Sequence, residues 1–218
     1  MPFNESNLSF DTALIEMAMQ LASERGWHGF TLVEAALKAD LPLEDVKIRY
    51  PFKSFILLRL NNMVDKAMLC GTTSYPSLKE GLFDLFMRRF DAFQDYRDGL
   101  RAVMRALPQD PALAVFLSTA TLNTIKWIAD AAGLDRHGLR GIMRLQALLA
   151  IWTHALRAWE KDATAELSET MKALDEALNK AERFRILKSI PDERLSSSHK
   201  SGGLPDYKQN EDSFTSEF

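Results

Sequence analysis

Apolar residues recur at every third or fourth position along most of this 218-residue chain, and glycine or proline stands where the pattern stops. That period admits helices and leaves little room for strands. Phe10, Leu14, Met17, Ala18, Leu21 and Ala22 form the first stripe, and Gly26 closes it. Further helical patterns cover 52–70, 78–94, 97–107, 112–132 and 139–159, with Gly71, Pro108, Pro111 and Gly133 between them. Asp162 is placed to cap a last helix that carries Leu167, Met171, Leu174 and Leu178. With two short helices between Thr31 and Tyr50, the expected fold is all-α with about nine helices. The 139–159 helix is apolar nearly all round, which places it in the interior. No internal repeat of about 20–50 residues is present, which excludes a solenoid.

The most informative stretch runs from Gly26 to Leu57. Thr31 can cap a short helix, with Glu34 reaching back in a reciprocal box. Val33, Ala36 and Leu37 are expected inward. Ala39-Asp40-Leu41 makes the connection, and Pro42 suits the first turn of a second short helix with Val46 inward. A helix, a tight turn and a short second helix form a shape that can enter a major groove.

Those residues, GFTLVEAALKADLPLEDVKIRYPFKSFILL, resemble the amino-terminal domain of TetR-type transcriptional repressors. Thr31 matches the family threonine, Ala39-Asp40-Leu41-Pro42 its turn, and Tyr50-Pro51-Phe52-Lys53 its Phe-Pro-x-Lys opening of the next helix. Asp40 replaces the turn glycine, Pro42 replaces a capping serine, and Lys47 stands where the family prefers tyrosine. The resemblance implies a head over residues 9–52 that binds double-stranded DNA through Thr31, Lys47, Arg49, Tyr50 and Lys53. A ligand-binding and dimerisation body is expected over 53–188, with 53–71 as the linking helix. The text at Phe86–Phe93 and from Ala158 to Glu182 is also similar to a bacterial TetR-like group that resembles the TetR-fold lipid-binding accessory proteins of coenzyme Q biosynthesis, which do not act as repressors. Two functions are therefore expected in competition: a ligand-controlled repressor, or an isoprenoid or lipid binder without DNA binding.

Lys47 and Arg49 can donate to phosphate or guanine, or can simply form a solvated rim. Glu44 and Asp45 favour a helix N-terminus but oppose phosphate. The net charge of −3 offers no global basic field. Within the first sixty residues, Arg25, Lys38, Lys47, Arg49, Lys53 and Arg59 face a larger set of carboxylates.

The body carries the second expected site. The 112–132 helix is apolar but interrupted by Ser118, Thr119, Thr121, Asn123 and Thr124. Phe86, Phe90, Met104, Phe116, Asn123, Trp127 and Trp152 are expected to line a pocket for a small apolar ligand, or else to be core. Trp159, Leu167, Met171, Leu174 and Leu178 are expected at a homodimer interface, the alternative being their own core.

Other classes are disfavoured. The four histidines, His28, His137, His154 and His199, show no metal-ligand spacing, and no catalytic or cofactor motif is present, so no enzyme, metal or cofactor is expected. Cys70 is the one cysteine, which forbids an internal disulfide and fits a reducing compartment. No signal sequence is expected in Met1 to Ser9. The apolar runs at 113–132 and 142–156 are broken by Lys126, Asp130 and Arg144, so no membrane span is expected and the chain reads as cytoplasmic. From 189 to 218 the apolar period is lost, and a disordered tail is expected.

Overall fold

The computed structural model describes residues 5–71 and 75–187, and the expectation for the tail lies outside them. Nine α-helices and no strand occur among the described residues. They are α1 (Glu5–Arg25), α2 (Leu32–Lys38), α3 (Leu43–Arg49), α4 (Phe55–Leu69), α5 (Leu78–Phe93), α6 (Arg97–Ala106), α7 (Pro111–Ala131), α8 (Gly138–Lys161) and α9 (Ser168–Arg183). The first begins earlier than its apolar stripe, because Glu5 to Ser9 continue the helix. The fourth begins later, because Pro51 to Ser54 form turns before Phe55.

Local chemistry sets most boundaries. Ser77 caps α5 and Asp110 caps α7, each side chain accepting from a backbone N–H three residues on. Pro111 opens α7, where a missing N–H costs nothing. Between α2 and α3, Asp40 takes φ +53°, the left-handed conformation for which glycine is the easier residue and aspartate a tolerated one.

Asp162 acts over a longer range than a simple cap. It ends α8, and its carboxylate accepts from the Thr164 and Thr170 backbone N–H groups and from both hydroxyls, at 2.6–3.0 Å. One buried carboxylate thus ties the α8–α9 loop to the first turn of α9.

The head (α1–α3) sits on the body through α1, which packs on α4 and most extensively on α6. Gly99 on α6 permits that approach: a Cβ there would lie 2.6 Å from the Met19 carbonyl oxygen. Behind it, α4, α5 and α7 pack together, and α8 lies along α9. Phe86, Phe90, Phe93, Trp152 and Trp159 form the aromatic centre of the body. The Phe90 and Trp152 rings stack at 4.8 Å, a geometry worth about 0.5–1.5 kcal/mol beyond its burial.

α7 is long and apolar enough by composition to cross a membrane, with a mean hydropathy of 1.3 over its most apolar stretch. In the fold it lies against α4, α5 and α8, burying Leu113, Thr124, Ile125, Ile128 and Ala129. Cys70 is exposed at the end of α4.

Candidate nucleic-acid interface and ligand cavity

The helix–turn–helix is formed by α2, the Ala39–Pro42 turn and α3. Thr31 caps α2 as expected, its hydroxyl accepting from Glu34 N–H at 3.1 Å. The reciprocal half of the box is missing. Glu34 turns to Arg25 instead, 2.6 Å away, and that bond holds its carboxyl below the usual range. Ala35 and Ala36 face the core with Val46, while Val33 and Leu37 are more than half exposed. The expected inward face of α2 is therefore rotated by about one residue.

Of the five expected DNA contacts, two point inward. Tyr50 is fully buried and donates to Asp11 at 2.7 Å; burial, with the Asp11 carboxylate, pushes its hydroxyl far above the ordinary value. The Lys53 ammonium donates to the carbonyls of Trp27 and Phe30 and lies 3.4 Å from the centre of the Phe30 ring. Burial pulls its pKa down to about 8. Both residues fasten the α3–α4 corner to the head's core, and neither presents a polar group to a groove.

Arg49 is half-buried, with its guanidinium 4.3 Å over the Phe10 ring. Thr31 and Lys47 are exposed, as are Leu43, Glu44 and Ile48 on the outer face of α3. Lys38 at the end of α2 is the other exposed lysine in the helix–turn–helix. Large apolar side chains share this surface: Ile48 is 79% exposed, Phe52 69% and Leu37 63%.

A cavity of about 140 Å³ opens below the head. Leu57, Leu60 and Asn61 line it from α4, Arg89 and Phe93 from α5, and Leu100, Val103 and Met104 from α6. Leu117, Ala120 and Thr121 come from α7, and Trp152, Leu156 and Trp159 from α8. Two of the expected pocket residues, Met104 and Trp152, are in its wall. Phe86 and Phe90 are fully buried behind Trp152, stacked on its ring. Phe116 packs near Phe55 instead, at 6.4 Å between ring centres. Asn123 and Trp127 lie on the outer side of α7, both exposed. From α7 the expected lining is Phe116, Asn123 and Trp127, whereas Leu117, Ala120 and Thr121 line the cavity, Thr121 being one of the hydroxyls that interrupt the apolar run.

Arg89 was not anticipated. It is 2% exposed, and its guanidinium bonds Asp65 and donates to Asn61 at 2.7 Å. Asp65 also accepts from Thr124 at 2.8 Å. Burial lowers the Arg89 pKa, and the Asp65 charge works against that shift. An arginine in line with Phe86, Phe90 and Phe93 on the apolar stripe of α5, with a carboxylate and amide on the preceding helix, was the available signal.

The expected dimer set is mostly spent internally. Trp159, Leu174 and Leu178 have no exposed surface and Leu167 has 1%, because α8 and α9 use these side chains against each other and against α5. Met171 alone of the five is exposed. Exposed apolar side chains of the body include Val115, Trp127 and Phe184, and three lie together at the start of α8, where Leu139, Ile142 and Met143 are each more than half exposed. Among the described residues no cluster of His, Cys, Asp or Glu is arranged to hold a metal ion.

This arrangement, a three-helix head on a cavity-bearing helical body, is the fold of TetR-type regulators. A TetR transcriptional regulator from Nitrosomonas europaea matches it with a TM-score of 0.66 at 19% identity, over 78% of this chain and 96% of that one. A transcriptional regulator from Rhodococcus sp. Rha1 matches with a TM-score of 0.54 at 17% identity, over 83% and 99%. A tetR-family regulator from Streptomyces coelicolor gives 0.51 at 17%, over 87% and 89%. No family model matches the sequence, and neither does any curated protein. The likeness is one of fold.

Proposed function

We propose that the chain is a cytoplasmic, dimeric, one-component transcriptional repressor whose hold on DNA is set by a small apolar ligand. The observation that supports this most is the position of the cavity. Its wall includes α4 and α6, the two body helices against which α1 of the head is packed. A ligand there acts on both supports of the head at once. Differential affinity for two head positions is what ligand control requires. Two heads, related by a two-fold axis, would read successive major-groove faces, with Thr31, Lys47 and Arg49 as the contacts. The outer face of α8, with Leu139, Ile142 and Met143, is the surface proposed for pairing.

A second reading is favoured by the surface of the head itself. Ile48, Phe52, Leu37 and Val33 are exposed where phosphate-binding cations would serve, and Glu44 stands beside Lys47. Affinity for DNA rests largely on phosphate neutralisation. That surface suits a protein that keeps the fold and the cavity, binds an apolar or isoprenoid molecule, and has given up DNA.

Fluorescence anisotropy on the DNA upstream of the chain's own gene separates the two. A regulator binds it with a salt dependence that falls by about one unit of log–log slope for each phosphate contact removed by Lys47→Ala, and Glu44→Gln tightens binding. Absence of sequence-dependent binding at low salt removes the regulator and leaves the ligand-binding protein.

A further inference from the structure

Among the described residues one cation lines the cavity, and its charge is already matched inside the protein. Arg89 is bonded to Asp65, and its guanidinium lies 4.9 and 5.3 Å from the centres of the Phe93 and Trp152 rings. Asn61, the amide in the same wall, is engaged as well. Its nitrogen donates to Asp65 at 3.0 Å and to Thr124 at 3.2 Å, and its oxygen accepts from Arg89 at 2.7 Å. Thr121 is the remaining polar side chain of the described wall, and the other lining residues are aliphatic or aromatic. A buried arginine that already holds one carboxylate has little to offer a second.

Charge and size together restrict what can enter. A carboxylate or phosphate would give up its water and find no free counter-charge, so its transfer is unfavourable. Among the described residues no lysine and no second arginine lines the cavity, so an anionic head left at the rim meets no cation in the wall. The volume of about 140 Å³ is close to the roughly 150 Å³ of a dry engineered cavity that takes benzene. Ala120 has the smallest side chain in the wall and leaves that space open, while Leu100, Met104, Leu117 and Leu156 supply apolar contacts from α6, α7 and α8.

We infer that the cavity is a site for a single uncharged hydrocarbon ring of benzene or toluene size, and that it rejects carboxylates and phosphate-bearing lipids although an arginine lines it. This rests on reading the cavity as the ligand site and adds the chemical class of the ligand. Arg89 is then part of the wall and not a receptor for an anion. Ala120 sets the size limit, because any larger side chain there takes up the room of the ring.

Three probes test it on the whole chain at pH 7: toluene, benzoate and biphenyl. Benzoate keeps the ring and adds a charge, and biphenyl stays uncharged but adds a second ring. Affinity is measured by calorimetry. The place of binding is read from the methionine methyl signals in ¹H–¹³C NMR, with Met104→Leu used to assign Met104 in the cavity wall. Toluene is expected to bind saturably, to move the Met104 signal, and to bind at least about tenfold more tightly than benzoate. Biphenyl, although more apolar, should leave the Met104 signal in place. Ala120→Leu fills the space and should abolish toluene binding. Tightest binding of benzoate, with Met104 moved, overturns the neutrality argument and leaves the cavity as a ligand site. Tightest binding of biphenyl with Met104 moved overturns the size limit. Toluene binding retained by a folded Ala120→Leu protein overturns the assignment of the ring to this space. No probe moving the Met104 signal of a folded wild-type protein removes the reading of the cavity as a ligand site. If Ala120→Leu does not fold, the Met104 shifts and the ranking of the three probes on the wild type still decide.

Discussion

Replacing Asp65 by asparagine removes the counter-charge from a guanidinium that has 2% of its surface exposed. Arg89 would keep its bond to Asn61 but lose the carboxylate that offsets its desolvation. Breaking a buried pair by deleting one partner costs about 3–5 kcal/mol. The Asp65 side chain is 19% exposed, so water can reach the vacated place and the low end, about 3 kcal/mol, applies. For a chain of this size each kcal/mol lowers the melting temperature by about 2–4 °C, so a fall of about 6–12 °C is expected. Arg89→Met keeps the length of the side chain and removes the charge. In the double variant Asp65→Asn/Arg89→Met no orphan cation remains, so the double should be more stable than Asp65→Asn alone by at least about 1.5 kcal/mol. Urea unfolding followed by circular dichroism at neutral pH measures all three. Strict additivity of the two single effects would show that Asp65 does not act as the counter-ion of Arg89.

Two further outcomes follow from other contacts. Gly99→Ala gains up to about 1 kcal/mol of helix propensity but forces a methyl group to 2.6 Å from the Met19 carbonyl, so a net loss of about 1–2 kcal/mol is expected in denaturant unfolding. Asp162 has a carboxyl whose pKa burial would raise, but the hydrogen bonds from Thr164 and Thr170 outweigh that and hold it well below the ordinary value. Its contribution is complete above the unfolded carboxylate pKa of about 3.9 and is lost as pH falls below it. Asp162→Asn should therefore cost about 2 kcal/mol at pH 7 and flatten the acid limb of the stability–pH curve below about pH 4.

How far the sequence could be read differs between helices and faces. Thr31, Asp110 and Ser77 cap from within a few residues of the backbone they serve, so those helix starts are visible without a fold. Asp162 caps over eight residues, and only its first partner lies close enough in sequence to anticipate. Lys53 and Tyr50 carry polar ends that suit a phosphate, yet the corner after α3 folds both inward onto Phe30 and Asp11. The polar positions of α7 drew attention to Asn123 and its bulk to Trp127, but a cavity wall is chosen by small residues that leave space, and Ala120 sends no such signal. Trp159, Leu174 and Leu178 looked like excess apolar area because the demand of α5 on the same faces is a non-local fact.

The sequence by itself therefore determined the helices, their order and the helix–turn–helix, since a 3.6-residue period, caps and turn residues act over a few positions of one chain. Tertiary structure decided which apolar face each helix buries, which cations stay free and where a void remains. Several helices here carry more apolar surface than any single neighbour covers. The choice among faces then depends on the approach of other helices, as where Gly99 lets α6 reach Met19, and that information is spread over residues far apart in the chain.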